Sequence, residues 1–207
     1  MNSTRLALAA ALTVGLAVTA PVAVADTPHQ VDPASVTPLL NPSFAPWTCW
    51  DAGTGITCRG GVDNTYDEVT DIPCAAGPIY VRGSERVVMT RWHDSDGRAT
   101  RTQLHTDVDD RLSLQPGATG PSVQLFAHWQ KHYVYPVPGD PGARVLRETG
   151  AILRVRGVPG GTVYQDTGFV EYVPDQEYEG VAEMHGVHDT FGGPDLYEAI
   201  CAGLAEE

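Results

Sequence analysis

Lysine is almost missing from this chain. Lys131 is the only one, and Lys and Arg together number 13 against 26 Asp and Glu. The resulting formal charge of −13 repels phosphate backbones and anionic bilayers, so neither nucleic acid nor an acidic membrane surface is an expected partner. Also missing are a Cys-x-x-Cys pair, a His-Glu-x-x-His motif and a Gly-x-Ser-x-Gly elbow. Their absence removes the usual sequence signals of zinc sites, zinc proteases and α/β-hydrolases. No cofactor and no metal is therefore expected, and a catalytic role has no motif to rest on.

No apolar run reaches the ~20 residues that a membrane-spanning helix needs. The longest, Leu6 to Ala20, follows Arg5 and precedes Ala23-Val24-Ala25, the pattern of a secretory signal peptide cleaved after residue 25. Losing Arg5 with residues 1–25 takes the formal charge from −13 to −14. The expected location is secreted and extracellular, with no membrane insertion after cleavage. Residues 26–45, rich in Pro, Thr, Ser and Ala, read as a mobile or loosely docked leader. Residues 46–207 read as one β-domain, within the usual ~100–200 residues.

There are four cysteines, and export to an oxidising compartment makes two disulfides the default. Of the three possible pairings we favour Cys49 with Cys58, closing a short hairpin, and Cys74 with Cys201, tying the C-terminal helix to the start of the sheet.

What is present is strand pattern. Val123, Leu125, Ala127, Trp129, Tyr133 and Tyr135 alternate with Gln124, Phe126, His128, Gln130 and His132, the period of two of a pleated strand with one apolar and one polar face. Residues 144–157 and 162–173 follow as strands across short Pro-Gly turns, and antiparallel neighbours are implied. Upstream, Trp47 to Gly60 is a hairpin, residues 64–73 are an acidic connection, and strands at 78–93 and 98–106 flank an Asp94-Ser95-Asp96-Gly97 turn. Asp107-Val108-Asp109-Asp110 reads as a second turn before a short strand at 111–115. A strand at 181–187 and a helix after Pro194, with Leu196, Ile200 and Leu204 on one stripe, close the chain. The expected class is mainly β: a single antiparallel meander of seven or eight strands forming a small barrel, with a β-sandwich as the alternative and a short C-terminal helix.

Thr90-Arg91-Trp92-His93, Arg147-Glu148-Thr149-Gly150, Gln165-Asp166-Thr167-Gly168, Gly186-Val187-His188-Asp189 and Ile200-Cys201-Ala202-Gly203-Leu204 together resemble a family of uncharacterised secreted actinobacterial proteins. The resemblance runs from about Trp47 to the C-terminus. It implies a small disulfide-bonded, barrel-like domain, export, and support for the Cys74 to Cys201 pairing. It lends no residue a chemical role.

The candidate ligand-facing residues are His128, Gln130 and His132 on one strand face, with Arg154 and Tyr164 as contributions from facing strands. His128 and His132 are about 13 Å apart at ~3.3 Å per residue and cannot share a metal by themselves. His185 and His188, three apart on a strand, face opposite sides. The function expected is a non-catalytic binding or interaction module for an unknown protein, a cell-surface component or a small ligand. The alternative is a barrel enzyme of the cyclase or isomerase type, or a carrier of a small hydrophobic ligand.

Overall fold

The computed structural model describes residues 27–157, 160–174, 176 and 179–205. The expected signal peptide lies outside the described residues. Nine strands form one antiparallel sheet in chain order: β1 (His29–Val31), β2 (Thr48–Asp51), β3 (Ile56–Val69), β4 (Tyr80–His93), β5 (Ala99–Gln115), β6 (Thr119–Val134), β7 (Val145–Arg156), β8 (Thr162–Tyr172) and β9 (Val181–His188). Helix α1 (Leu196–Ala205) follows. The mainly-β meander with a short C-terminal helix is as expected. The sheet is not hydrogen-bonded into a closed barrel, because β1 and β9 each have one neighbour.

Two sequence readings are corrected here. Asp107 to Asp110, read as a turn, lies in mid-strand: β5 runs unbroken for 17 residues, and Asp107 pairs with Arg86 on one side and His128 on the other. Residues 64–69, read as an acidic connection, belong to β3 and pair with β4. In both, cross-strand partners outweigh the low strand propensity of Asp and Asn.

The sheet has an inner and an outer face. At one end of the inner face, Val81, Leu112, Val123, Val155 and Tyr164 pack with Ile79 and with Ala199, Ile200 and Leu204 of α1. A ten-residue helix is marginal by itself, and this burial holds it. Asp195 caps it, its Oδ1 accepting from the backbone N–H groups of Tyr197 and Glu198 at 2.9 and 3.0 Å.

Residues 27–45 bring their own contacts to the other end. His29–Val31 pairs with β2, and Val36, 1% exposed, packs with Cys49, Ile56 and Cys58. The Arg91 guanidinium donates to the Pro38 carbonyl at 2.8 Å, and the Trp47 ring lies where a side chain at Gly60 would stand. The sequence showed no periodicity here because this segment is held by single buried residues and backbone bonds.

Cys49 and Cys58 form a disulfide between paired positions of β2 and β3, as expected. Cys74 and Cys201 are free thiols, which corrects the second pairing. They are nonetheless neighbours: burial, then a hydrogen bond with Cys74, pushes the Cys201 thiol up to about 12, and its Sγ–H points at the Pro73 carbonyl at 3.5 Å. The helix docks where the bond would have tied it, through apolar contact.

Two backbone devices shape β6 to β9. Ile152 is an extra residue in β7, where the register to both neighbours shifts, so Glu148 before it and Val155 after it both face inward. Beside this bulge, Gly150, Gly168 and Gly186 pair in a row across β7, β8 and β9, all at positive φ (116°, 139° and 117°). A Cβ on Gly168 would stand 2.0 Å from the His185 carbonyl oxygen. Gly168→Ala therefore meets both a disfavoured φ and a backbone clash, and should cost at least about 1–3 kcal/mol. Chemical denaturation checks this, and a variant as stable as the parent would refute it.

His93 generates a pH prediction. It is 4% exposed, its Nδ1–H donating to the Ile56 carbonyl at 3.1 Å. Its pKa is lowered mainly by burial, with Arg91 adding to the effect, while the Ile56 bond and Asp94 oppose it. The unfolded chain thus binds the proton more readily, so His93 leaves stability intact above the unfolded value of about 6.5 and subtracts from it as pH falls below that, by at most about 1.4 kcal/mol per pH unit. Melting temperature should fall between pH 7 and 5.5, less steeply in His93→Gln. Equal slopes would refute the assignment.

Candidate functional site

The five residues singled out by sequence do not form one site. His128, Gln130 and His132 share the outer face of β6, and Arg154 joins them there, its guanidinium 5.4 Å from the Phe126 ring centre. His132 and Gln103 both reach the Gln130 side-chain oxygen, at 3.1 and 3.0 Å. Burial, then Arg101 and Arg147, lowers the His132 pKa and favours the neutral ring. Tyr164 is on the opposite, inner face, buried, with its hydroxyl 2.6 Å from that of Thr190 and 3.4 Å from Asp166.

The inner face carries a cavity of about 320 Å³ between β6 and β9, beside the glycine row. Trp129 pairs with Gly150, which pairs with Gly168 and so with Gly186. Trp129, Ile152, Leu153, Val170 and Phe191 give the cavity apolar walls. The bulge brings Ile152 and Leu153 into the same wall, which strict alternation forbids.

Two polar groups of residues close the cavity. Lys131 Nζ lies 3.0 Å from Glu148 Oε1, and the Tyr172 hydroxyl donates to Glu148 Oε2 at 3.0 Å. The Glu148 carboxylate is almost fully buried, so it takes the chain's single lysine as counter-ion. Across the cavity, Asp166 accepts from the Thr190 hydroxyl, and the buried His188 ring places Nδ1 3.5 Å from Asp166 Oδ1 while Nε2–H donates to the His185 carbonyl at 3.1 Å. Asp189 accepts from the Gln165 N–H of β8 at 2.7 Å. Two polar atoms of the cavity lining are left over: Trp129 Nε1–H and His188 Nδ1 are buried with no hydrogen-bond partner among the described residues.

On the outer face, β5 and β6 bring together three residues that sequence reading left apart. His105 and Asp107 are two apart on β5, and His128 pairs directly with Asp107. His105 Nε2 is 3.3 Å from one Asp107 oxygen, His128 Nδ1 contacts the other, and the two rings meet edge to face at 4.8 Å. Grooves of about 470 and 450 Å³ flank the cluster, sharing Arg86 and Asp107. Reading Asp107 to Asp110 as a turn hid this, since a turn there destroys the register that sets Asp107 against His128. Trp129, Lys131, Glu148, Asp166 and His188 were missed for a related reason: the bulge at Ile152 leaves no trace in hydrophobic periodicity.

Among the described residues no helix is long and apolar enough to cross a membrane. No family model, curated protein or solved structure matches the chain. Function rests on the geometry above.

Glu148 is the test of the inner face. Glu148→Ala removes the acceptor shared by Lys131 and Tyr172 from a buried site, and should cost about 3–5 kcal/mol, as breaking one side of a buried ion pair does. Glu148→Gln, which can still accept, should cost less. Equal, small losses in both would show that the pair does not hold this end of the sheet.

Proposed function

We propose that this is an exported, non-catalytic binding domain whose inner-face cavity takes a small, largely apolar molecule bearing one acceptor oxygen. Export is supported by the signal-like residues 1–25 and by the Cys49–Cys58 disulfide. A cavity of this size, apolar on most sides with a few converging polar groups, is the usual form of a small-molecule site. The observation that carries the reading is the unsatisfied indole N–H of Trp129. A buried donor without a partner costs about 1–3 kcal/mol, and a ligand oxygen would recover it. An oxygen acceptor is what this N–H requires, so a ketone or ester suits the site better than a hydrocarbon.

Titration calorimetry with a panel of medium-chain ketones and the hydrocarbons of matching shape tests this. Saturable 1:1 binding of ketones is expected, weakened roughly 3–10-fold by Trp129→Phe, the loss of one hydrogen bond, with hydrocarbon binding little changed. If no panel member binds, or if Trp129→Phe affects both series alike, the reading fails. Recovery of the bound ketone unaltered is also expected. A ring-closed or isomerised product would favour the cyclase or isomerase alternative.

A further inference from the structure

We propose that His105, Asp107 and His128 form a binding site for a divalent transition ion, Zn²⁺ foremost, on the outer face of the sheet. The site is independent of the inner cavity, since it lies on the outer face of β5 and β6 while the cavity is lined from the inner face by β6 to β9.

The argument begins with register. Directly opposed residues of an antiparallel pair hold their Cβ atoms about 4.5–5.5 Å apart, and residues i and i+2 share a face. Asp107 opposite His128, with His105 two residues away, therefore puts three donors on one small patch without any loop to position them. One ligand atom from each of the three lies within 4.8 Å of the others. Two ligands on a tetrahedral ion at zinc distances of 2.0–2.1 Å are themselves about 3.3 Å apart. His105 Nε2 and Asp107 Oδ2 already stand at 3.3 Å, so small side-chain rotations complete the set.

Donor chemistry selects the ion. Two imidazoles and one carboxylate suit Zn²⁺ and Cu²⁺, whereas Ca²⁺ and Mg²⁺ require more oxygen ligands than this patch supplies. Three protein ligands leave at least one position open, the arrangement of a reactive rather than a purely structural zinc. Asp107 and His128 line a groove together with Arg86, Gln124, Phe126 and Arg156. Arg86 pairs with Asp107 from the β4 side, and this basic lining suits an anionic or neutral oxygen as a further ligand. The net charge of −13 favours cation uptake generally but does not choose the place. The convergence of two histidines on one aspartate does.

The test is titration calorimetry of zinc chloride into tag-free protein, with the visible absorption of Co²⁺ as a second readout. One equivalent of Zn²⁺ should bind, and Co²⁺ should develop ligand-field bands that Zn²⁺ abolishes and Ca²⁺ does not. His105→Ala and His128→Ala should each lose at least about tenfold in affinity, as removing one of three ligands requires. Asp107→Asn, which preserves shape, should also weaken binding, while His132→Ala and His185→Ala should leave the isotherm unchanged. Circular dichroism confirms that each variant is folded, as expected for substitutions on an exposed face. Absence of binding to the parent protein, uptake that survives the His105→Ala/His128→Ala double variant, or loss on His185→Ala would overturn the proposal and leave the cluster as a hydrogen-bonded His-Asp-His group.

Discussion

The inner face depends on a constraint of backbone rather than side chains: Gly150, Gly168 and Gly186 must pass one another at positive φ, so closely that any Cβ would strike a neighbouring carbonyl. Strands with full side chains at these positions could not take that path. With the row in place the strand backbones approach closely across β7 to β9, next to the Trp129 that lines the cavity. The bulge at Ile152 works with it. It turns Val155 onto the apolar floor under α1 while leaving Glu148 facing inward, so one strand serves both the core and the cavity.

The polar groups in that cavity run against simple stability. Burying Glu148 and Asp166 costs desolvation that ion pairing and hydrogen bonds only partly return, and an apolar pair of similar volume would often be as stable. Spending the chain's sole lysine on Glu148 is therefore poorly explained by packing and well explained by a site needing fixed donors and acceptors at its rim. The contrast with α1 is instructive, because that end of the sheet is held by Val123, Val155, Ile200 and Leu204 with no buried charge among them.

Much of the fold was legible from sequence where hydrophobic alternation is strong. The three central strands, β9, the disulfide-closed hairpin and the helical stripe of Leu196, Ile200 and Leu204 all follow from period and turn chemistry. What was not legible has physical causes. Asp107-Val108-Asp109-Asp110 carries turn-forming residues, yet its neighbours on β4 and β6 hold it extended; local preference and tertiary pairing disagree, and pairing wins. The segment around Val36 docks through isolated contacts that produce no period. A one-residue bulge shifts every later side chain to the other face without altering composition. Both the cavity and the histidine cluster lie where these effects act, so single residues such as His128 could be named as candidates while their partners could not.

Strand β6 ties these features together, because neighbouring residues along it serve opposite faces. Trp129 and Lys131 line the cavity, while His128, Gln130 and His132 lie outside. A slip of one residue against β5 would exchange the two sets, expelling the indole and burying three polar side chains, so the register must be fixed strongly. The β5–β6 connection does so locally. Gly117 and Ala118 turn the chain at positive φ, and the buried Ser113 hydroxyl donates to the Thr119 carbonyl at 2.5 Å across the irregular end of the ladder. At the far end, the N–H of the buried Tyr135 donates to the Thr100 carbonyl at 3.1 Å, and its hydroxyl approaches that of Thr102 at 3.5 Å. Pinned at both ends, the hairpin can carry a polar outer face and the lining of the inner cavity on the same strand without either pulling the other out of register.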